Sequence, residues 1–157
     1  MQKITTHITE AMQQLIENYS VGAVATVNAD GTPAVSPKAT FVIVDKQCIA
    51  FGHIRSPGTV ANIAVRPDVE VNFIDVLTRR AVRIKGLARV VEKNSEAGRQ
   101  LSPVFEPNWA PYMDAVKCFV VIDITHAEMI LSPAYDLGLT ASELKKINLE
   151  KLSKLGD

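Results

Sequence analysis

Residues 22–53 read GAVATVNADGTPAVSPKATFVIVDKQCIAFGH, and this stretch decides the fold. Its first ten residues are rich in β-formers and end in a turn signal, Asn28-Ala29-Asp30-Gly31. TPAVSPKATFVIV, residues 32–44, resumes as a strand, so the two runs form a hairpin. Asp45-Lys46-Gln47 is the next turn, and QCIAFGH, residues 47–53, is a third strand.

Upstream, Ile8, Met12, Leu15, Ile16 and Tyr19 recur at helical spacing, with Thr9 placed to cap or begin the helix. Downstream, RSPGTVANIAVRPD predicts a short helix. Ser56 suits its cap and Pro57 its first turn. Val60, Ile63 and Ala64 supply an apolar face, and Pro67 lies beyond its end. Val69, Val71 and Phe73 then alternate with Glu70 and Asn72, which marks a half-buried strand.

RRAVRIKGLARVV, residues 79–91, predicts a longer strand, with Val82, Ile84 and Leu87 set against Arg83 and Lys85. Gly86 marks a bulge or bend within it. A helix is expected over 94–101, and the three prolines of SPVFEPNWAPYMD, residues 102–114, predict a loop. CFVVIDI, residues 118–124, is a sixth strand. A peripheral helix over about 140–155 opens with a capping box, Thr140 to Glu143, and carries Leu144, Ile147, Leu152 and Leu155 as an apolar stripe.

Six strands with short turns, and one helix among them, predict a mainly β (α+β) fold: a six-stranded antiparallel Greek-key split barrel with peripheral helices. Parallel βαβ repetition is missing, and no GxGxxG follows a strand, which excludes a Rossmann fold. The 157 residues, 47% hydrophobic and 22% charged, fit one domain over 1–157 with one sizeable core.

Acidic and basic residues balance at 17 each, which argues against a nucleic-acid surface and against attachment to anionic membranes. No apolar run is long enough to span a bilayer, and the N-terminus has no apolar signal core, so a cytoplasmic location is the default expectation. Cys48 and Cys118 stand apart in β-like segments and read as buried free thiols. No histidine and cysteine spacing resembles a metal site, and no metal is expected.

Four features offer chemistry. Arg55-Ser56-Pro57-Gly58-Thr59 opens a helix, whose unpaired N–H groups favour a phosphate; Asn62, one turn on, is a further candidate. The same segment also reads as an ordinary capped helix. Ser36, Lys38 and Thr40 share one strand face around Pro37 and Ala39, either as the wall of a polar ligand site or as an edge guarded by its lysine. Arg79, Arg80, Arg83 and Lys85 form either a solvated strand face or a contact for a phosphate or carboxylate. Trp109 and Tyr112 either pack locally or cover a planar ligand. His53 follows the third strand beside the helix opening and is the histidine placed for ligand contact. There is no GxSxG elbow and no P-loop.

Taken in order, ATVNADGTPAVSPKATFVIV, IAFGHIRSPGTVANIAVRPDVEVNFID and RIKGLARVV resemble the pyridoxamine 5′-phosphate oxidase-like family of split barrels that bind flavin mononucleotide (FMN). The resemblance runs from about Gly22 to Val91. It implies a homodimer with FMN at the subunit interface, and redox chemistry supplied by the flavin. It implies that Ser36, Pro37, Lys38, Ala39 and Thr40 line the isoalloxazine and ribityl chain, with Phe51, Gly52 and His53 beside them. It further implies that Ser56, Thr59 and Asn62 hold the phosphate and that Trp109 approaches from the partner subunit.

Two departures narrow these expectations. Where many members carry a basic pair after the loop serine, this chain has Pro57-Gly58-Thr59, so the phosphate charge falls to Lys38, Arg55, Arg80 or Arg83 and the helix end. The chain also lacks the closing tryptophan and R-L-x-P pattern that serve the vitamin substrate, so oxidation of pyridoxamine phosphate is not expected. The alternatives are a non-catalytic flavin or electron carrier, or a split barrel holding the deazaflavin F420 or haem.

Overall fold

The run 32–44, expected as one strand, bends at Ala39-Thr40 and serves two neighbours. In the computed structural model, which describes residues 4–156, Pro33–Lys38 (β2) pairs with Gly22–Val27 (β1), and Phe41–Asp45 (β3) pairs with Cys48–His53 (β4). Residues 1–3 and 157, counted in the expected domain, lie outside the described residues. With Asp68–Asp75 (β5), Arg80–Glu92 (β6) and Cys118–Leu131 (β7), the strands form one antiparallel sheet in the order β2-β1-β5-β6-β7-β4-β3.

The first and last strands of that order are consecutive in the chain, so the sheet curls until its edges meet at the bend. A barrel results, closed by one bent strand. Seven strands replace the expected six because the bend divides one of them. Pro37, which has no N–H for a ladder, lies just before the bend. The link from β4 to β5 crosses one end of the barrel through helix Pro57–Val65 (α2), giving the Greek-key connection.

The barrel interior holds Val24, Phe41, Ile49, Phe51, Val71, Phe73, Val82, Ile84, Val120 and Ile122. Phe41 lies between two rings, with centroids 5.2 Å from Phe51 and 4.8 Å from Phe73. Helix Glu10–Asn18 (α1), capped by Thr9, closes one side with Met12, Leu15 and Ile16. A second apolar layer lies outside β3, β4 and β7, where Phe105 stacks on Phe119 at 4.6 Å. Full burial of a ring of this size contributes about 2–3 kcal/mol.

Phe105 comes from the segment expected as a loop. Glu96–Trp109 (α3) is one continuous helix containing Pro103 and Pro107, followed by a 3₁₀ helix over Ala110–Ala115. The prolines are four residues apart on the exposed side, so the carbonyls they leave unbonded face water. On the other side Leu101, Val104, Phe105 and Trp109 meet the second apolar layer, which sustains the helix.

Two smaller expectations also change. Leu87 is exposed, because strict alternation assigns the inward positions to Val82, Ile84, Gly86 and Ala88. Gly86 faces a bulge of β7 at Thr125, where a Cβ would lie 2.5 Å from the Asp123 carbonyl oxygen. The helix Ala141–Ser153 (α4) has its capping box, but of the expected stripe only Leu144 is buried; Ile147, Leu152 and Leu155 are exposed. Asn148 takes the inner position beside Leu144 and donates to the Leu77 carbonyl over 2.8 Å. Both cysteines are free and buried, and burial pushes the Cys48 thiol up to about 11.

Candidate functional site

The bend between β2 and β3 meets the end of β4 and the start of α2, and the structure opens a cleft of about 490 Å³ there. Its floor is Ser36, Pro37, Lys38, Ala39 and Thr40. Gly52, Ile54, Arg55 and Ser56 form one wall, and Trp109 and Tyr112 the other. Most of the residues singled out from sequence therefore converge here, from segments as far apart as 36 and 109. Ile54 is an addition; its position after a strand end carries no local signal.

Hydrogen bonds lock the bend. Thr40 Oγ1 donates to the Gly52 carbonyl over 2.8 Å and accepts from the Gly52 N–H over 3.1 Å. A Cβ at Gly52 would come within 2.9 Å of Val116, so only glycine fits against that side chain without movement. Trp109 is fixed by its indole N–H, which donates to the Phe41 carbonyl over 3.0 Å. Its ring lies 6.1 Å from that of Tyr112, which is half exposed at the cleft mouth. Both aromatics lie in the same chain as the floor they flank.

Lys38 is only 8% exposed. Its ammonium donates to Ser36 Oγ and, over 3.4 Å, to the Pro37 carbonyl. Among the described residues no carboxylate pairs with it. Burial holds its pKa below that of an ordinary lysine, because the charged form has lost water without gaining a counter-charge.

At the α2 end, Ser56 occupies the cap position but its side chain does not cap the helix. Its Oγ lies 3.0 Å from His53 Nδ1, and its N–H donates to the same nitrogen over 3.3 Å. Nδ1 therefore carries a lone pair, and the neutral ring holds its proton on Nε2. Burial first, then the charges of Lys117 and Lys38, keep His53 below the usual histidine range. Lys117, missed from the sequence, comes close through tertiary contact: its N–H donates to the His53 carbonyl over 2.9 Å. Thr59, in the first turn, is buried on the same helix face as Ile63 and does not line the cleft.

The other candidates lie elsewhere. Phe51 is fully buried in the barrel interior, where its ring packs on Phe41. Asn62 turns to β1, donating to Thr26 Oγ1 over 3.0 Å and to Asn28 Oδ1 over 2.9 Å. It ties α2 to the first hairpin. Arg83 binds Glu128 at 2.5 Å and approaches Glu70 at 3.6 Å. It stands on the fourth strand from the β2 edge, roughly 14 Å across the sheet. Arg80 lies over the Tyr135 ring at 5.6 Å. Within one chain, neither arginine reaches the cleft.

A larger groove, about 770 Å³, follows the outer edge of β3 between α1 and α3. Its charged residues, Glu17, Asp45 and Lys46, are exposed rim groups. The smaller cleft, with its buried cation, is the better candidate for a specific ligand.

An antiparallel barrel with this cleft at its closing bend defines the class of split-barrel proteins. Residues 8–131 match the family described as pyridoxamine 5′-phosphate oxidase, and the chain belongs to that family. Among solved structures, one similar to it is a protein from Lactobacillus delbrueckii described as a putative pyridoxamine 5′-phosphate oxidase. It is 26% identical with a TM-score of 0.66, over 80% of this chain and 97% of that one. A protein described as F420 reductase is 25% identical with a TM-score of 0.58, over 76% and 98%. An FMN-binding protein from Syntrophomonas wolfei shares the fold at 11% identity and a TM-score of 0.64, over 76% and 84%. No curated protein matches the chain in sequence.

Proposed function

We propose that this chain is an FMN-binding flavoprotein, working as a homodimeric oxidoreductase, with the cofactor in the cleft between the β2–β3 bend and α2. One observation carries the reading. The described chain buries five polar or charged side chains, Thr26, Lys38, His53, Thr59 and Asn148. Thr26 and Asn148 are satisfied by hydrogen bonds within the fold. Of the other three, Lys38 lines the cleft floor, His53 lies behind the wall and bonds to its Ser56, and Thr59 lies in the first turn of α2 without lining the cleft. Lys38 and His53 together set a cation without a counter-charge close to a buried imidazole. A bound anion is the group that meets these demands at once.

The residues fit FMN. Arg55, Ser56, Thr59 and the α2 N–H groups would hold the phosphate. Ser36 to Thr40 would floor the flat ring, with Trp109 and Tyr112 flanking it. Lys38 would set positive charge beside the ring edge, favouring its reduced, anionic form. The cofactor supplies the hydride and electron chemistry. The chain supplies orientation, one shielded ring face and charge. The cleft volume lies within the range of small-ligand sites. A symmetric partner covering the open mouth would complete the enclosure.

The described F420 reductase favours F420 as a second reading, since that cofactor also pairs a flat ring with a phosphate. Absorption spectra of freshly purified protein, followed by calorimetric titration with FMN and with F420, decide between them. Micromolar or tighter FMN binding at one site per chain, in a dimer by light scattering, is the expected result. Failure to bind either cofactor removes the proposal.

A further inference from the structure

The cap of α2 is the unusual element of this corner. Serine is among the strongest capping residues, yet Ser56 makes no side-chain cap. Both its hydroxyl and its N–H are directed at His53 Nδ1, 3.0 and 3.3 Å away. The N–H groups of Gly58 and Thr59, which such a cap would meet, remain open to a ligand. A Cβ built at Gly58 meets no atom within 4 Å, so the approach to that turn is clear. Lys38, buried without a carboxylate, lines the same cleft as Ser56 and provides an independent sign that an anion belongs there.

We propose that His53 couples anion binding in this cleft to proton uptake: a proton taken from water onto Nδ1 turns the Ser56 hydroxyl from a donor to the ring into a donor to the bound phosphate. The inference rests on the reading that the FMN phosphate lies at this helix end. In the neutral ring the Nδ1 lone pair consumes the hydroxyl hydrogen. In the protonated ring Nδ1–H donates to Ser56 Oγ, the Ser56 N–H gives up its bond to Nδ1, and both that N–H and the hydroxyl hydrogen become available to the bound anion.

The surroundings of His53 set the direction. Lys38 faces it from β2 and Lys117 from the position just before β7. Cys118 lies opposite on β7, Ser56 contacts the ring and Arg55 adjoins Ser56 in the turn. No carboxylate contributes to its charge state. Without an anion, burial and two lysines keep the ring neutral. A phosphate dianion offsets both lysine charges and makes the protonated ring favourable. His53 is thus a positioning residue acting through Ser56.

Histidine Cε1–H resonances test this on the whole protein, since the chain has three, His7, His53 and His126. His53→Gln assigns the signal. In the free protein, His53 should titrate below the usual histidine range. Saturating FMN should raise it by about one pH unit, equivalent to about a tenfold gain in FMN affinity across the transition. The FMN affinity of His53→Gln should lose that component and retain only the pH dependence of the ligand's own phosphate. Sulfate, a dianion throughout pH 5–8, provides a second arm and should also raise the His53 value.

If FMN binds while His53 titrates unchanged, the coupling is wrong and the flavin site stands. If FMN fails to bind, the functional reading falls and sulfate alone decides the coupling: a raised His53 value sustains it, an unmoved one ends it.

Discussion

The indole N–H of Trp109 reaches 3.0 Å to the carbonyl of Phe41, joining the last residue of α3 to the first residue of β3. This bond ties the aromatic wall of the cleft to the strand that closes the barrel. Trp109→Phe keeps a ring and removes the donor, leaving the strand-edge carbonyl unsatisfied. The expected loss is about 1–2 kcal/mol of stability, read from urea unfolding. An unchanged midpoint and slope would show that water replaces the indole at no cost.

Lys38 places an uncompensated charge in the cleft proposed to hold FMN, so its removal should separate binding from stability. Lys38→Met is expected to weaken FMN binding by about 10–100-fold, the equivalent of one charge-assisted hydrogen bond. The free protein should melt at the same or a higher temperature, because a buried ammonium is replaced by a thioether of similar length. Calorimetric titration and thermal melts check the two halves. Undiminished FMN affinity would place the flavin elsewhere.

The folded-state pKa of His53 lies below the unfolded value, so the neutral ring favours the fold. That contribution is fully present above the ordinary histidine value, about 6.5, and is lost as pH falls through the lower folded value. Free protein should lose melting temperature below about pH 6.5, and His53→Gln should flatten that slope. Saturating FMN should flatten it too under the proposed coupling, in which a bound anion raises the folded value. Melts from pH 5 to 8 on the three samples test the sign.

Pro103 lies on the exposed side of α3 and removes a hydrogen bond to the Arg99 carbonyl. Pro103→Ala restores the donor without touching Phe105 or Trp109. It should stabilise the protein by about 1 kcal/mol, the helix gain being partly offset by a freer unfolded chain. Destabilisation would mean that the proline ring contributes packing that its exposure does not reveal.

Much of this molecule is legible locally. The turn at Asn28 to Gly31 bonds as a turn, with the Gly31 N–H donating to the Asn28 carbonyl over 2.9 Å. The capping residues Thr9 and Thr140 cap as their types suggest. The floor Ser36 to Thr40 and the loop at Arg55-Ser56 line one cleft. Proline in a helix interior misled at α3 because local propensity weighs the lost N–H and not the burial of Phe105. The helical spacing of Leu101, Val104, Phe105 and Trp109 was nevertheless there to read.

Strand period, turn chemistry and capping residues act within a few positions of the chain, so the amino-acid order by itself determined the strand-forming runs, the helix starts and the two halves of the cleft. Which polar groups face one another was decided only by closure of the barrel. That closure brings Lys38 and Lys117 beside His53, takes Asn62 to Thr26, and holds Arg83 against Glu128. Such pairings depend on strand order and sheet curvature, which arise from the summed burial of the whole core and are not encoded at any one position.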